Sequence, residues 1–183
     1  MRELSLNILD IAKNSTKAGS TLIEIEVEIE EVEDLIKITI KDNGCGMTEE
    51  FLKTVVDPFS TTRTTRKVGM GIPLFLEACE STGGTFDIAS KVNVGTVVVG
   101  TLGLSHIDRM PLGNLSDTMT ILIMGDAETE FVLKLKKAEN EFVFDTREVK
   151  EILGESDLSS PTVITYLKEF LNENINNITG GNI

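Results

Sequence analysis

The hydrophobic positions of the chain switch between two periods. From Leu4 to Ala18, the residues Leu4, Ile8, Leu9, Ile11, Ala12 and Ser15 recur at helical spacing with Gly19 placed as a C-cap, which predicts a helix. Ile23, Ile25, Val27 and Ile29 then alternate with Glu24, Glu26, Glu28 and Glu30, the pattern of a half-buried strand. After an acidic turn at Glu33-Asp34, Ile36, Ile38 and Ile40 alternate with Lys37, Thr39 and Lys41, so lysines can meet the glutamates across an antiparallel pair. Thr48 is placed to cap a short helix whose buried stripe is expected at Phe51, Leu52, Val55 and Val56, ending before Pro58. Asp57 to Lys67 has no hydrophobic period and is expected to be a loop or lid. A further helix opens at Val68-Gly69-Met70-Gly71-Ile72, runs through Leu74, Phe75, Ala78 and Cys79, and stops at Gly83-Gly84. Strands through Phe86–Ala89 and Thr96–Leu102 follow, joined by a turn around Asn93 and Gly95.

The remaining pattern is weaker. Ser116 and Asp117 are placed as an N-cap before Met119, Ile121, Leu122 and Ile123, predicting a short helix, with a strand as the alternative. Phe131, Leu133 and Leu135 alternate, as do Phe142 and Phe144, with Glu139-Asn140 between them as a hairpin turn. Asp145 or Thr146 caps a helix carrying Val149, Ile152 and Leu153 and ending at Gly154. Pro161 starts a last helix with an apolar stripe at Val163, Ile164, Tyr166, Leu167, Phe170, Leu171 and Ile175. The order of elements predicts an α+β fold, a two-layer α/β sandwich with helices on one face of a mixed or antiparallel sheet. Residues 1–104 are expected to be its main domain, 105–178 a small α+β C-terminal extension and 179–183 a disordered tail.

Composition removes several classes. Thirty acidic against 17 basic residues give a net charge of −13, which repels a nucleic-acid backbone. No apolar run approaches the roughly 20 residues of a membrane span, and no secretory signal follows Met1, so a cytoplasmic protein is expected. The two cysteines, Cys45 and Cys79, have neither metal-ligand spacing nor a disulfide framework.

Three stretches carry candidate chemistry. Asp42-Asn43-Gly44-Cys45-Gly46-Met47 places a carboxylate and two closely spaced glycines at a strand's mouth; on its own this fits either a hairpin turn or a ligand loop. Asp10, Asn14 and Lys17 fall on one side of the first helix, either as a solvated face or as a functional row. Gly69 and Gly71 open a helix after hydroxyl and basic residues, an anion cradle in which free amides and the positive dipole end coincide.

In this order and spacing the stretches resemble the GHKL superfamily, the Bergerat-fold ATPases that include sensor histidine kinases, mismatch-repair MutL, type II topoisomerases and the ninety-kilodalton chaperones. Asp10 to Gly19 resembles the N box, which implies that Asn14 coordinates magnesium, that Lys17 meets phosphate and that Asp10 stands in the general-base position, where many ATP-hydrolysing members carry Glu. Asp42 to Met47 is similar to the first glycine box, implying that Asp42 reads adenine while Gly44, Gly46 and Met47 lie against the base. Phe59, Thr62 and Arg63 resemble the kinase F box and lid, Gly69, Met70 and Gly71 the second glycine box, and Thr96 the last box. The likeness covers about the first hundred residues, with a shorter lid and with no dimerisation or phosphoacceptor domain expected ahead of the N box.

The resemblance implies ATP and magnesium as ligands. It also implies phosphoryl-transfer chemistry coupled to an unidentified protein partner, with the C-terminal extension as the interaction module. The alternative is a non-catalytic regulator or assembly subunit of anti-factor type that binds ATP or ADP. The single histidine, His106, with Arg109 and Pro111-Leu112 after it, partly resembles a kinase phosphoacceptor box, but Ile107 stands where that box has an acid. His106 is therefore expected to be a domain-junction residue.

Overall fold

The computed structural model of the protein describes residues 3–55, 70–154 and 158–181. In chain order these form α1 (Leu4–Lys17), β1 (Leu22–Glu30), β2 (Leu35–Asp42), α2 (Glu49–Val55), α3 (Gly71–Ser81), β3 (Phe86–Lys91), β4 (Gly95–Gly103), α4 (Leu115–Gly125), β5 (Glu130–Lys137), β6 (Asn140–Asp145), α5 (Thr146–Leu153) and α6 (Pro161–Thr179). The strands make one mixed sheet in the order β3-β4-β2-β1-β5-β6. All neighbours are antiparallel except β1 and β5, which run parallel with Ile23 opposite Phe131 and Ile25 opposite Leu133.

Alternation in the sequence becomes two faces of this sheet. Ile23, Ile25, Val27 and Ile29 of β1 and Ile36, Ile38 and Ile40 of β2 point inward, each at most 2% exposed. The glutamates and lysines point outward, where Lys37 meets Glu28 at 2.6 Å and Lys41 meets Glu24 at 2.8 Å. Surface pairs of this kind contribute under about 1 kcal/mol each. Their main consequence is register, since a slip by one residue would turn the isoleucines to solvent. Leu4, Ile8, Ile11 and Ala12 of α1, Phe75 and Cys79 of α3, and Leu115, Met119, Leu122 and Ile123 of α4 cover the inner face in one continuous core. Gly100 of β4 lets α3 lie close, because a Cβ there would come within 2.7 Å of both Phe75 and Cys79. The arrangement is the α+β sandwich expected from the pattern.

The extension beyond residue 104 shares this sheet. β5 covers the edge of β1 that β2 leaves free, β6 continues outward, and α6 packs on α4 and on β5 and β6. The hairpin's need for a partner surface is thus met within the chain.

Several local expectations are corrected. The N-cap of α4 is Asn114, whose side chain accepts from the Asp117 amide, so the helix starts before Ser116 and Asp117. Phe51, expected in a buried stripe, is 36% exposed, and of the α2 residues described only Val55 is buried. In α6 the buried line is Leu167, Leu171 and Ile175. Tyr166 and Phe170 on its flank are 63% and 38% exposed and stack at 6.5 Å, with Phe170 also against Phe142 of β6 at 6.0 Å. α6 also runs through Thr179, placing a buried helical residue at the start of the expected tail. Val56, Asp57 to Lys67, Val68 and Gly69 lie outside the described residues.

Candidate functional site

At one end of the inner face the apolar alternation gives way to polar residues. Asp42 continues the series Ile36, Ile38, Ile40; Thr96 ends the series Leu102, Gly100, Val98; Ser90 continues Phe86, Ile88. The register places these three side by side, Asp42 opposite Thr96 and Thr96 opposite Ser90. A cross-strand row of three polar side chains pointing towards the core is affordable only where the helix layer parts from the sheet. Here it does so over a cavity of about 960 Å³, at the upper end of small-molecule sites. Ile11, Ile40, Ile72 and Val98 give it an apolar floor, and Asn14, Lys17, Asp42 and Thr96 supply polar groups around it. A flat aromatic group with a polar edge suits such a wall.

The Asp42 carboxylate is held on both oxygens. Oδ1 accepts from the Gly44 amide at 2.8 Å, and Oδ2 accepts from the Ser15 hydroxyl at 2.6 Å. A carboxylate has about four lone-pair positions, so each oxygen keeps one for a ligand. Ser15, which the helical period placed among the small core-facing residues, is a site residue the pattern alone did not reveal.

The loop after Asp42 is fixed from three sides. The Asn43 side-chain oxygen accepts from the amides of Thr21 and Leu22, the Cys45 amide donates to the Ala18 carbonyl, and the Asn93 amide donates to the Cys45 carbonyl. Gly44 and Gly46 are required by close approach. A Cβ on Gly44 would lie 2.6 Å from the Ser20 hydroxyl, and one on Gly46, at φ +65°, would lie 2.0 Å from the Lys91 carbonyl oxygen. The Met47 amide donates to Ser90 Oγ at 2.9 Å. Gly46 and Met47 line the cavity, whereas Gly44 is buried behind it.

α1 contributes Asn14 and Lys17 to the wall. Asp10, one turn earlier, is not among the cavity's lining residues; its Cβ sits against Gly71, where a substituent would come within 2.8 Å. Gly71 therefore works first as a contact point between α3 and α1. Met70 is exposed at the N-cap of α3 and does not line the cavity. Phe59, Thr62, Arg63 and Gly69 lie outside the described residues.

The two cysteines have opposite surroundings. Cys79 is fully buried, and burial pushes its thiol up to about 12, whereas Cys45 is exposed on the cavity wall. A thiol reagent is expected to modify the native protein once, at Cys45, with Cys79 reacting only after denaturation. A nucleotide in the cavity should slow the first reaction several-fold, as read by absorbance during labelling.

His106 is remote from this site. It follows the end of β4 at which Gly103 lies, while Thr96 lies at the other, seven residues or roughly 23 Å away. Its Nδ1 accepts from the Asp108 amide within a surface turn.

Comparison with known proteins bears on the family and the fold. The model of the family described as histidine kinase-, DNA gyrase B- and HSP90-like ATPase matches residues 1–106, more than half of the chain. The chain belongs to that ATPase family. Relatives include the non-motile and phage-resistance protein of Caulobacter vibrioides, 30% identical over 115 residues, and the sensor protein SrrB of Staphylococcus aureus, 34% identical over 104 residues. The matched segments cover 60% and 54% of this chain but only 14% and 17% of those proteins, so the chain spans a small part of their length. Among solved structures, the N-terminal domain of a DNA repair protein aligns with 86% of the chain and 59% of its own at TM-score 0.56 and 12% identity. The ADP-complexed ATPase domain of Aquifex aeolicus MutL aligns with 84% of the chain and 69% of its own at TM-score 0.51 and 15% identity. These coverages extend past residue 106, so the likeness in fold includes part of the C-terminal extension. The protein carries a histidine-kinase-like ATP-binding domain. No helix among the described residues is long and apolar enough to cross a membrane.

Proposed function

We propose that the cavity binds the adenine of ATP against Asp42, that magnesium accompanies the phosphates, and that the nucleotide state is relayed to a protein partner through the C-terminal extension. The observation that carries this reading is the inward row Ser90, Thr96 and Asp42 at the end of an otherwise apolar face, above a cavity large enough for a nucleoside. Asp42 would accept from the exocyclic amino group, while Gly46 and Met47 lie along the ring. Lys17 and the Gly71 and Ile72 amides in the first turn of α3 would meet phosphate oxygens, to which Thr62, Arg63 and the amides after Gly69 are proposed to add.

The Asn14 side-chain oxygen would be the metal ligand, since the Asp42 carboxylate on the same wall is held by Ser15 and Gly44 and is given to the base. Magnesium suits a site with one protein oxygen, since it is commonly held by one or two protein groups together with phosphates and water. When bound it would neutralise phosphate charge, which is the chemistry it supplies. Asp10 would orient the attacking water or a partner's nucleophile, Asn14 would act through the magnesium it holds, and Lys17 would hold the phosphates still.

A second reading, nucleotide binding without turnover, is favoured by the position of Asp10 away from the cavity wall and against Gly71. Incubation with γ-labelled ATP and magnesium separates the two. The catalytic reading expects slow phosphate release, or label transferred to a partner protein, and at least about a hundredfold loss of it in Asp10→Asn with ATP affinity unchanged. Turnover that survives in Asp10→Asn removes Asp10 from the mechanism. Tight binding with no release and no transfer establishes the regulator.

A further inference from the structure

The polar row contains one residue, Ser90, to which no role in ligand recognition has so far been given. Ser90 Oγ has three partners: the Met47 amide at 2.9 Å, the Gly95 carbonyl at 3.0 Å and Thr96 Oγ1 at 2.9 Å. A hydroxyl has one hydrogen and two lone pairs. The Met47 amide can only donate and the Gly95 carbonyl can only accept, so all three contacts are hydrogen bonds together only when the Ser90 hydrogen goes to Gly95. The Thr96 hydroxyl must then donate to Ser90. Ser90 is saturated, and Thr96 is left with lone pairs alone towards the cavity it lines. Directly opposite, Asp42 is an acceptor as a carboxylate, with Ser15 and Gly44 as its donors.

From this proton count we infer that Ser90 is a specificity-determining residue. By fixing the Thr96 hydroxyl as an acceptor, it makes the base-facing edge of the cavity acceptor-only. With the purine 6-position against Asp42 and Thr96 and N1 turned away from them, such an edge welcomes a 6-amino group, which brings hydrogens, and rejects a 6-oxo group, whose oxygen would face lone pairs. Ser90 acts through Thr96 and Met47, as a positioning residue. The inference rests on the nucleotide-binding reading above and adds to it the means by which the base is selected.

The test compares ATP with inosine triphosphate, which differs at the 6-position and at N1, by titration calorimetry on the whole chain. Ser90→Thr and Ser90→Val are nearly isosteric and differ by the hydroxyl. The wild type and Ser90→Thr are expected to prefer ATP strongly. Ser90→Val frees the Thr96 hydroxyl to rotate and donate, so the ratio of the two dissociation constants should fall about three- to tenfold, the worth of one net hydrogen bond. Thr96→Val, which removes the acceptor, should lower the same ratio, and Ser90→Val added to it should lower it no further. Equal weakening of both nucleotides by Ser90→Val, with the ratio unchanged, would show that Ser90 only supports the loop and overturns the inference while nucleotide binding stands. A folded wild-type protein that binds neither nucleotide overturns both.

Discussion

Asp42→Ala is expected to weaken ATP binding by at least about a hundredfold while the protein stays folded. Hydrogen bonds to charged groups contribute about 1.5–3 kcal/mol each, and every 1.4 kcal/mol is a factor of ten. The substitution removes the acceptor for the base and takes from the Gly44 amide its carboxylate partner, while the Ser15 hydroxyl, now on the carboxylate, can turn to the Ile11 carbonyl. Folding should suffer less, because Asp42 stands at the end of β2 beside a cavity and the Ile36, Ile38 and Ile40 series is untouched. Calorimetric titration for affinity and circular dichroism for fold check the two halves. Asp42→Asn is the finer probe: it preserves shape but can offer an amino group where an acceptor is required.

Asn14→Ala is expected to remove the magnesium dependence of ATP binding. Asn14 is partly exposed on α1 and lines the cavity with its side chain, so little packing is lost. Alanine raises helix propensity by a few tenths of a kcal/mol, so thermal stability should hold or rise slightly. The affinity ratio with and without magnesium should therefore fall towards one, from a wild-type value of about ten or more. Titrations with magnesium and with a chelator measure this ratio directly. Loss of affinity under both conditions alike would place Asn14 on the phosphates and not on the metal.

What could be read from the chain and what could not follows the range of each interaction. β1 and β2 are joined by a short turn, alternate cleanly and carry opposite charges outward, so their antiparallel pairing was legible, while the partners themselves, Glu28 with Lys37 and Glu24 with Lys41, are fixed by the register of the sheet. Asp42 was legible because a carboxylate stands where the isoleucine series predicts another inward residue. Ser90 was open to the same logic, but two apolar residues, Phe86 and Ile88, make too short a series for one polar successor to stand out. Ser15 escaped because a serine at a helical core position passes for a small packing residue bonded back to its own helix, here to the Ile11 carbonyl, and its contact with Asp42 comes only with the approach of β2. The parallel pairing of β5 with β1 joins residues more than a hundred apart, such as Ile23 and Phe131, and no local pattern encodes it. Asp10, Asn14 and Lys17 share a stripe in sequence, yet Asn14 and Lys17 face the cavity while Asp10 meets Gly71, a separation fixed by how α3 crosses α1.

Titration of the unmodified protein with ATP and magnesium, followed by amide chemical shifts, tests the account most directly. Saturable one-to-one binding is expected, with the largest shifts at Gly44 to Met47, Thr96 and the Asn14 turn of α1, and little change around His106. A folded protein with no saturable binding at millimolar ATP, or with shifts confined to residues away from the Asp42 cavity, would contradict it.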